Sequence, residues 1–186
     1  DTVSRTRVSV TMDMLLHTHL FDSMSWAINT QKSGSNQDTH HVFRGAKRIK
    51  DYDQQEDSKS ISLNFSLDKD QHTLVYGLNY ESTDSTNVTD TLYLETPERN
   101  TFSRYLPLVK STSLGVYIQD TINLNEGDWT LVPGIRYDKF NANPQIDEYF
   151  TAPAAITEEL TKHDSNKLTA KLGTVYQLSE SLSVFA

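Results

Sequence analysis

Three segments of the chain alternate between apolar and polar residues with a period of two, and this pattern constrains the fold most. In Ser113–Leu124, every second residue from Leu114 onward is apolar apart from Asp120, and serine, glycine, glutamine, threonine and asparagine fill most of the other positions. The same alternation recurs in Trp129–Lys139 and Lys167–Leu178. Because successive side chains of a β-strand point to opposite faces, these segments are predicted to be strands with one apolar and one polar face.

The pattern predicts about eight strands, joined alternately by short turns and by long polar segments. The strands are expected near residues 3–12, 23–32, 58–67, 73–82, 112–123, 129–140, 167–178 and 182–186. Short turns are expected at Asp68–Gln71, Asn123–Asp128 and Ser179–Ser181, and long loops at Ser33–Asp57, Asp84–Ser111 and Asn141–Asn166. Tight turns that alternate with large loops are typical of outer-membrane β-barrels, whose strands need only about ten residues each.

Composition excludes several other classes of protein. Only 36% of the 186 residues are hydrophobic, and no apolar run approaches the roughly 18 residues of a transmembrane helix. The net charge of −8 argues against nucleic acid as a partner. The absence of cysteine excludes a disulfide scaffold and a cysteine-based zinc site. The sequence also lacks phosphate-loop, zinc-protease and serine-hydrolase motifs, so neither an enzyme activity nor a metal centre is predicted.

Several details bear on the choice between a membrane barrel and a soluble β-protein. Aromatic residues near the predicted strand ends favour the interfacial girdles of a barrel; they are Tyr76, Tyr80, Trp129, Tyr137, Phe140 and Tyr176. Asp120 interrupts the apolar parity, which indicates either a position near the membrane boundary or a β-bulge. Soluble sandwiches also alternate, so an all-β binding or adhesion module, with its apolar parity buried between two sheets, is an alternative, as is a complete small barrel.

Two adjacent segments carry a family likeness. Thr112–Ile122 (TSLGVYIQDTI) and Trp129–Phe140 (WTLVPGIRYDKF) together resemble a strand pair in the barrels of TonB-dependent outer-membrane receptors. Pro97–Arg99 and Tyr105–Pro107 resemble the loop before that pair in the haem, haemoglobin and transferrin receptor branch. Lys167–Phe185 is similar to the strand that leads, in that branch, into a Phe-Arg-Ala-Pro box.

The resemblance implies an all-β antiparallel meander that forms part of a 22-stranded transmembrane β-barrel in the bacterial outer membrane. Residues 1–186 would be a partial barrel, without the plug domain and the remaining strands, and both ends of the chain look like strands cut partway. The implied function is TonB-dependent uptake of haem or haem-protein iron, with the long loops capturing ligand outside. A ferric-siderophore receptor is the alternative within the family.

The same resemblance implies the partners. They are haem or a haem-carrying protein, the TonB complex, which would act through the missing plug, and outer-membrane lipid. No intrinsic cofactor is expected, since haem would be the transported ligand.

Three histidines are the candidate haem ligands, because an imidazole can bind haem iron axially. His40 and His41 are adjacent in the first long polar segment, close to several cations that can pair with haem propionates, and His163 lies in the third. A solvated loop is the alternative interpretation of these residues. In the haem branch the extracellular histidine ligand lies beyond the Phe-Arg-Ala-Pro box, so no residue here inherits that role.

Four cations are candidates for the lumen of the barrel. Arg5, Arg7, Arg136 and Lys171 fall on the polar parity of their strands. Because the interior of such barrels is polar, these side chains are expected to face a channel or a plug.

Overall fold

The computed structural model describes residues 1–43, 45–104, 106–125, 128–150, 160–179 and 182–186. In this part of the chain, nine β-strands form one antiparallel sheet. They are β1 (Thr2–Leu15), β2 (Ser23–Phe43), β3 (Ala46–Lys69), β4 (His72–Tyr93), β5 (Thr101–Ser103), β6 (Leu108–Leu124), β7 (Trp129–Gln145), β8 (His163–Ser179) and β9 (Leu182–Phe185). The strands follow each other in sequence order, except that β5 pairs with β4 beyond the end of β6. The predicted all-β antiparallel meander is confirmed, as an open sheet with β1 and β9 at its edges.

The only regular helix in the described residues is a single 3-10 turn, Pro97–Arg99, which precedes β5. No helix in these residues is long and apolar enough to cross a membrane.

The strand register collects the apolar side chains into continuous rows. One row crosses the sheet from β1 to β8 through Met12, Trp26, Leu63, Leu78, Val116, Tyr137 and Leu168. The next row toward the short turns contains Met14, Met24, Phe65, Tyr76, Ile118, Ile135 and Ala170. Directly opposed residues share a face of the sheet, so both rows lie on one side, the apolar face. The opposite side is the polar face.

No second layer of protein covers the apolar face in the described residues. Leu168 and Leu172 are 66% and 71% exposed, and no apolar side chain of the described residues is fully buried. The soluble-sandwich alternative predicts that these side chains pack between two sheets. The single-layer sheet disagrees with that prediction.

The first predicted loop, Ser33–Asp57, is wrong, because β2 and β3 pair without interruption from Ser23 to Phe43. These strands have 21 and 24 residues, about twice the length that crosses a bilayer. Most residues of their extension are polar, and alternation therefore gives no sign of it. Backbone pairing does not need an apolar face, since each buried or half-buried N–H and C=O is satisfied by the partner strand.

The other two predicted loops are shortened by strands that extend into them. β4 continues to Tyr93 and β6 begins at Leu108, so Asp84–Ser111 contains β5 and parts of two longer strands. β7 continues to Gln145 and β8 begins at His163, whereas residues 151–159 lie outside the described residues. We call the end of the sheet that carries these connections the long-loop end.

The opposite, short-turn end agrees with the prediction. β3 and β4 are joined by only two residues, of which Asp70 has φ +54°, and Asn125 after β6 has φ +50°. Asp and Asn tolerate this left-handed conformation better than most side chains, which explains why they stand at these turns. The predicted turn Ser179–Ser181 falls partly on residues 180–181, outside the described residues.

Candidate functional site

Arg5 and Arg7, the two β1 cations that were predicted to face the lumen, lie on the polar face of the sheet. Arg5 donates from Nε and Nη2 to Gln31 Oε1 at 3.0 and 2.6 Å, and Arg7 donates to Asn29 Oδ1 at 2.9 Å. Asn29 in turn donates to Ser60 Oγ on β3 at 3.2 Å. A ladder of polar hydrogen bonds therefore links three neighbouring strands on this face.

The predicted cations of β7 and β8 lie over glycines of the same face. The Arg136 guanidinium pairs with Asp138 at 2.7 Å, and both side chains cover Gly115 on β6, where an added Cβ would contact them. The Lys171 stem covers Gly134, with Cε 2.8 Å from the position of an added Cβ. All four predicted cations are therefore on the polar face; that this face borders a lumen stays a prediction.

A third glycine lets an aromatic side chain cross a strand. Tyr117 on β6 lies over Gly77 on β4, and its hydroxyl donates to Asn64 Oδ1 on β3 at 2.7 Å. Asn64 also donates to Ser25 Oγ on β2 at 3.2 Å. Because glycine has no side chain, hydrogen bonding continues here from β2 to β6, although β4 contributes no polar group.

The structure does not bring the three candidate histidines together. His40 and His41 are consecutive residues of β2, so their side chains lie on opposite faces of the hairpin, and both are exposed. His163 begins β8, with its ring 6.3 Å from the ring of Phe140. Four strands separate β2 from β8, which corresponds to roughly 24 Å at about 4.8 Å per strand.

The strand register bears on two predictions about the apolar face. Asp120 accepts a 2.6 Å contact from Nδ1 of His72, the first residue of β4, and its register with β4 is continuous. The interruption is therefore not a bulge against β4, and a position near the membrane boundary stays a prediction. Phe140 was predicted for the aromatic girdle, but it pairs with Ser113 on the polar face, so this assignment is wrong.

A carboxylate joins the β1–β2 connection to the end of β3. Asp22 Oδ2 accepts the backbone N–H of Asp68 at 2.8 Å, and Asp22 Oδ1 lies 3.3 Å from His17 Nδ1. The hydrogen bond from the Asp68 amide, with that from His17, lowers the pKa of Asp22. Both interactions favour the ionised carboxylate, and the bond to Asp68 ties the β1–β2 connection to the end of β3.

Arg104, at the long-loop end, makes several contacts that were not predicted from the sequence. Arg104 Nε donates to Asp147 Oδ2 at 2.7 Å, and Nη1 donates to the backbone carbonyl of Asn87. The guanidinium lies 6.0 Å from the ring centroids of both Phe102 and Tyr149, which contact each other edge to face at 4.7 Å. We call these five residues the Arg104 clamp.

Only a short signal for the clamp exists in the sequence. Phe102 and Arg104 are two residues apart, as are Asp147 and Tyr149, but a repeat of this length does not predict a strand.

Glu148 accepts a hydrogen bond from the Tyr149 hydroxyl, and this hydrogen bond raises the pKa of Tyr149. No group of three or more potential metal ligands is found among the described residues.

The family comparison covers nearly the whole chain. A family model described as "TonB dependent receptor-like, beta-barrel" matches residues 4–186. No curated protein sequence matches the chain.

Solved structures with the same fold are longer proteins. The copper transporter OprC is 11% identical, with a TM-score of 0.71 over 95% of this chain and 28% of its own. The siderophore receptor PiuA from Acinetobacter baumannii is 15% identical, with a TM-score of 0.58 over 98% of this chain and 31% of its own. The ferric yersiniabactin uptake receptor FyuA from Yersinia pestis is 12% identical, with a TM-score of 0.57 over 98% of this chain and 27% of its own. These likenesses establish the fold, and the chain spans about a quarter to a third of each structure.

Proposed function

This chain belongs to the TonB-dependent receptor β-barrel family, and from that premise we propose that it is part of the wall of an outer-membrane receptor that imports haem or haem-protein iron. The family is one of receptors and transporters, not enzymes. The intact protein would add the plug and the remaining strands, and the plug would engage the TonB complex. Transport of a ligand, and not bond formation, is therefore the proposed activity.

The observation that carries this proposal is the pair of uncovered apolar rows on one face of the sheet. Exposure of apolar surface to water costs about 25 cal/mol of free energy per Å². Contact with the hydrocarbon of a lipid bilayer avoids this cost. The polar face has the opposite requirement, because its amide, hydroxyl and guanidinium groups form hydrogen bonds across β1, β2, β3 and β6. A membrane-spanning barrel wall, with lipid on one side and water or a plug on the other, meets both requirements.

Haem is the ligand proposed on the likeness of residues 97–107 to the haem branch and on the exposed histidines of the long-loop end. His40 and His41 lie on the part of the β2–β3 hairpin that extends past the apolar rows, and His163 begins β8 at the same end. An axial ligand requires only one of them.

A ferric siderophore is the second candidate. The observation that favours it is that the three histidines do not converge, since His40 and His41 lie on opposite faces of β2. A siderophore carries its own iron ligands, so its receptor does not need a protein side chain on the metal.

The test uses the full-length receptor in detergent and in cells that lack other iron importers. We expect haem titration to give a saturable Soret shift, and haem to support growth as the iron source. His40→Ala, His41→Ala and His163→Ala each remove one candidate ligand, and His72→Ala, at the short-turn end, is the matched control. Growth on a ferric siderophore without any haem-dependent spectral change would replace haem by the alternative, and transport of neither would reject the proposed function.

A further inference from the structure

Two connections of the long-loop end are held together by the Arg104 clamp. Arg104 follows β5 in the β4–β6 connection, whereas Asp147 and Tyr149 belong to the β7–β8 connection. Besides the 2.7 Å ion pair, the Arg104 backbone N–H donates to the Tyr149 carbonyl at 2.7 Å, and Arg104 forms an isolated parallel bridge with Phe150. Side-chain and backbone bonds therefore join the same two segments.

The ion pair of the clamp is more buried than the Lys110–Asp84 pair of the same end. The Arg104 side chain is 13% exposed and that of Asp147 is 28% exposed. The Lys110–Asp84 pair has a distance of 3.7 Å, with side chains 54% and 56% exposed. An exposed pair contributes little, whereas a charged hydrogen bond shielded from water contributes more.

Internal bonds fix the geometry of the segment that Arg104 holds. Asp147 Oδ1 accepts the backbone N–H of Tyr149 at 3.1 Å, and the Asp147 carbonyl accepts the N–H of Phe150 at 3.2 Å. Asp147 thus uses one carboxylate oxygen to order its own turn and the other to bind Arg104. On the other side, Arg104 also binds the Asn87 carbonyl of β4, which connects the turn to the sheet itself.

We propose that Arg104 couples the β4–β6 and β7–β8 connections into one unit, and that this unit presents a single preformed surface to ligand at the outer end of the intact receptor. Arg104 and Asp147 are positioning residues in this proposal, since they hold Phe102 and Tyr149, which are both partly exposed. The statement about ligand rests on the proposed function. The coupling itself does not.

Hydrogen exchange on the full-length receptor in detergent tests the coupling without any ligand. Arg104→Gln and Asp147→Asn each remove one charge of the pair. We expect each to accelerate exchange about tenfold or more both in Thr101–Arg104 and in Asp147–Phe150, because opening one partner frees the other. The control Lys110→Gln removes a cation of the same end and is expected to leave both segments unchanged. Loss of protection only in the segment that carries the substitution would overturn the coupling.

Uptake of radiolabelled haem by cells tests the link to ligand. We expect Asp147→Asn to raise the half-saturating haem concentration about tenfold with the maximal rate unchanged, since a loosened surface binds less tightly but does not alter passage through the barrel. An unchanged half-saturating concentration, together with faster exchange in both segments, would overturn the link and retain the coupling. If the unsubstituted receptor takes up no haem, the proposed function fails, and hydrogen exchange still decides the coupling. Asp147→Asn keeps the size of the side chain and serves if Arg104→Gln does not assemble.

Discussion

Glycines of the polar face should differ in their tolerance of alanine according to what lies over them. At Gly77 an added Cβ would contact the Leu63 carbonyl oxygen, and would lie 3.0 Å from the Tyr117 hydroxyl and 3.1 Å from Cε1 of its ring. The backbone oxygen cannot move aside without shifting a strand, and displacement of the ring breaks the hydrogen bond to Asn64. Overpacking costs about 1–3 kcal/mol and the lost bond about 0.5–1.5 kcal/mol, so Gly77→Ala should cost about 2–4 kcal/mol.

Two further glycines provide matched controls. At Gly134 the nearest atoms to an added Cβ belong to the flexible Lys171 stem, so Gly134→Ala should cost less than about 1 kcal/mol. At Gly173 the nearest atom is Val132 Cβ at 3.7 Å, which is ordinary contact. Gly173→Ala should be neutral or stabilising by up to about 1 kcal/mol, because alanine loses less backbone entropy on folding.

The measurement is urea unfolding of the full-length receptor in detergent, compared at constant m value. Tyr117→Phe separates the two contributions at Gly77, since it removes only the hydroxyl and should cost about 0.5–1.5 kcal/mol. Equal losses of stability for Gly77→Ala and Gly173→Ala would refute the reasoning. The cost would then depend on the replacement of glycine itself and not on the atoms that lie over it. A loss below about 1 kcal/mol at Gly77 would show that the sheet accommodates the methyl group without strain.

Three further predictions concern the two faces and the short turns. Ile118→Arg, in the second apolar row, should destabilise the receptor in lipid by about 2–4 kcal/mol, whereas Gln119→Arg, on the polar face, should not, as measured by urea midpoints in vesicles. A single-tryptophan receptor that retains Trp26 should be quenched by lipids brominated deep in the acyl chain, and failure of this quenching would contradict its place in the first apolar row. Because the pKa of Asp22 is lowered, the Asp68 amide should stay protected from hydrogen exchange at a pH below the ordinary carboxyl pKa of about 4. Its protection should be lost only as the pH falls through the lowered pKa, and Asp22→Asn should remove this transition.

The faces of the sheet could be predicted from the sequence because each depends on local alternation. Leu114, Val116 and Ile118 lie on one face and Arg136 and Lys171 on the other, as parity requires. The family could be predicted as well, because its motif lies within two adjacent strands, Thr112–Ile122 and Trp129–Phe140. In both cases residues close in sequence carry the whole signal.

The rest of the fold depends on pairing that leaves no period in the sequence. Most residues of the β2–β3 extension are polar, and its residues face partners up to about twenty positions away, so no single window shows the hairpin. The ion pair of the Arg104 clamp joins residues 43 positions apart, and neither of the two segments alternates for long enough to be recognised. The girdle prediction for Phe140 was wrong because it was based on the position of Phe140 near a predicted strand end. The parity of Phe140 places it on the polar face.

The placement of apolar residues along each strand also encodes the tilt of the strands. The row through Ile61 contains Leu114 on β6 but Lys139 on β7 and Asn166 on β8, so it is apolar on one side of the sheet and polar on the other. On the other side of the sheet, Trp129 shares an apolar row with Leu124 and Tyr176. This row lies closer to the short-turn end than His72, the first residue of β4. The apolar band therefore moves toward the short-turn end from β3 to β8 and crosses the strands obliquely. A level band of lipid fits such a pattern only if the strands are inclined to it, and inclination of the strands is what closure into a barrel requires.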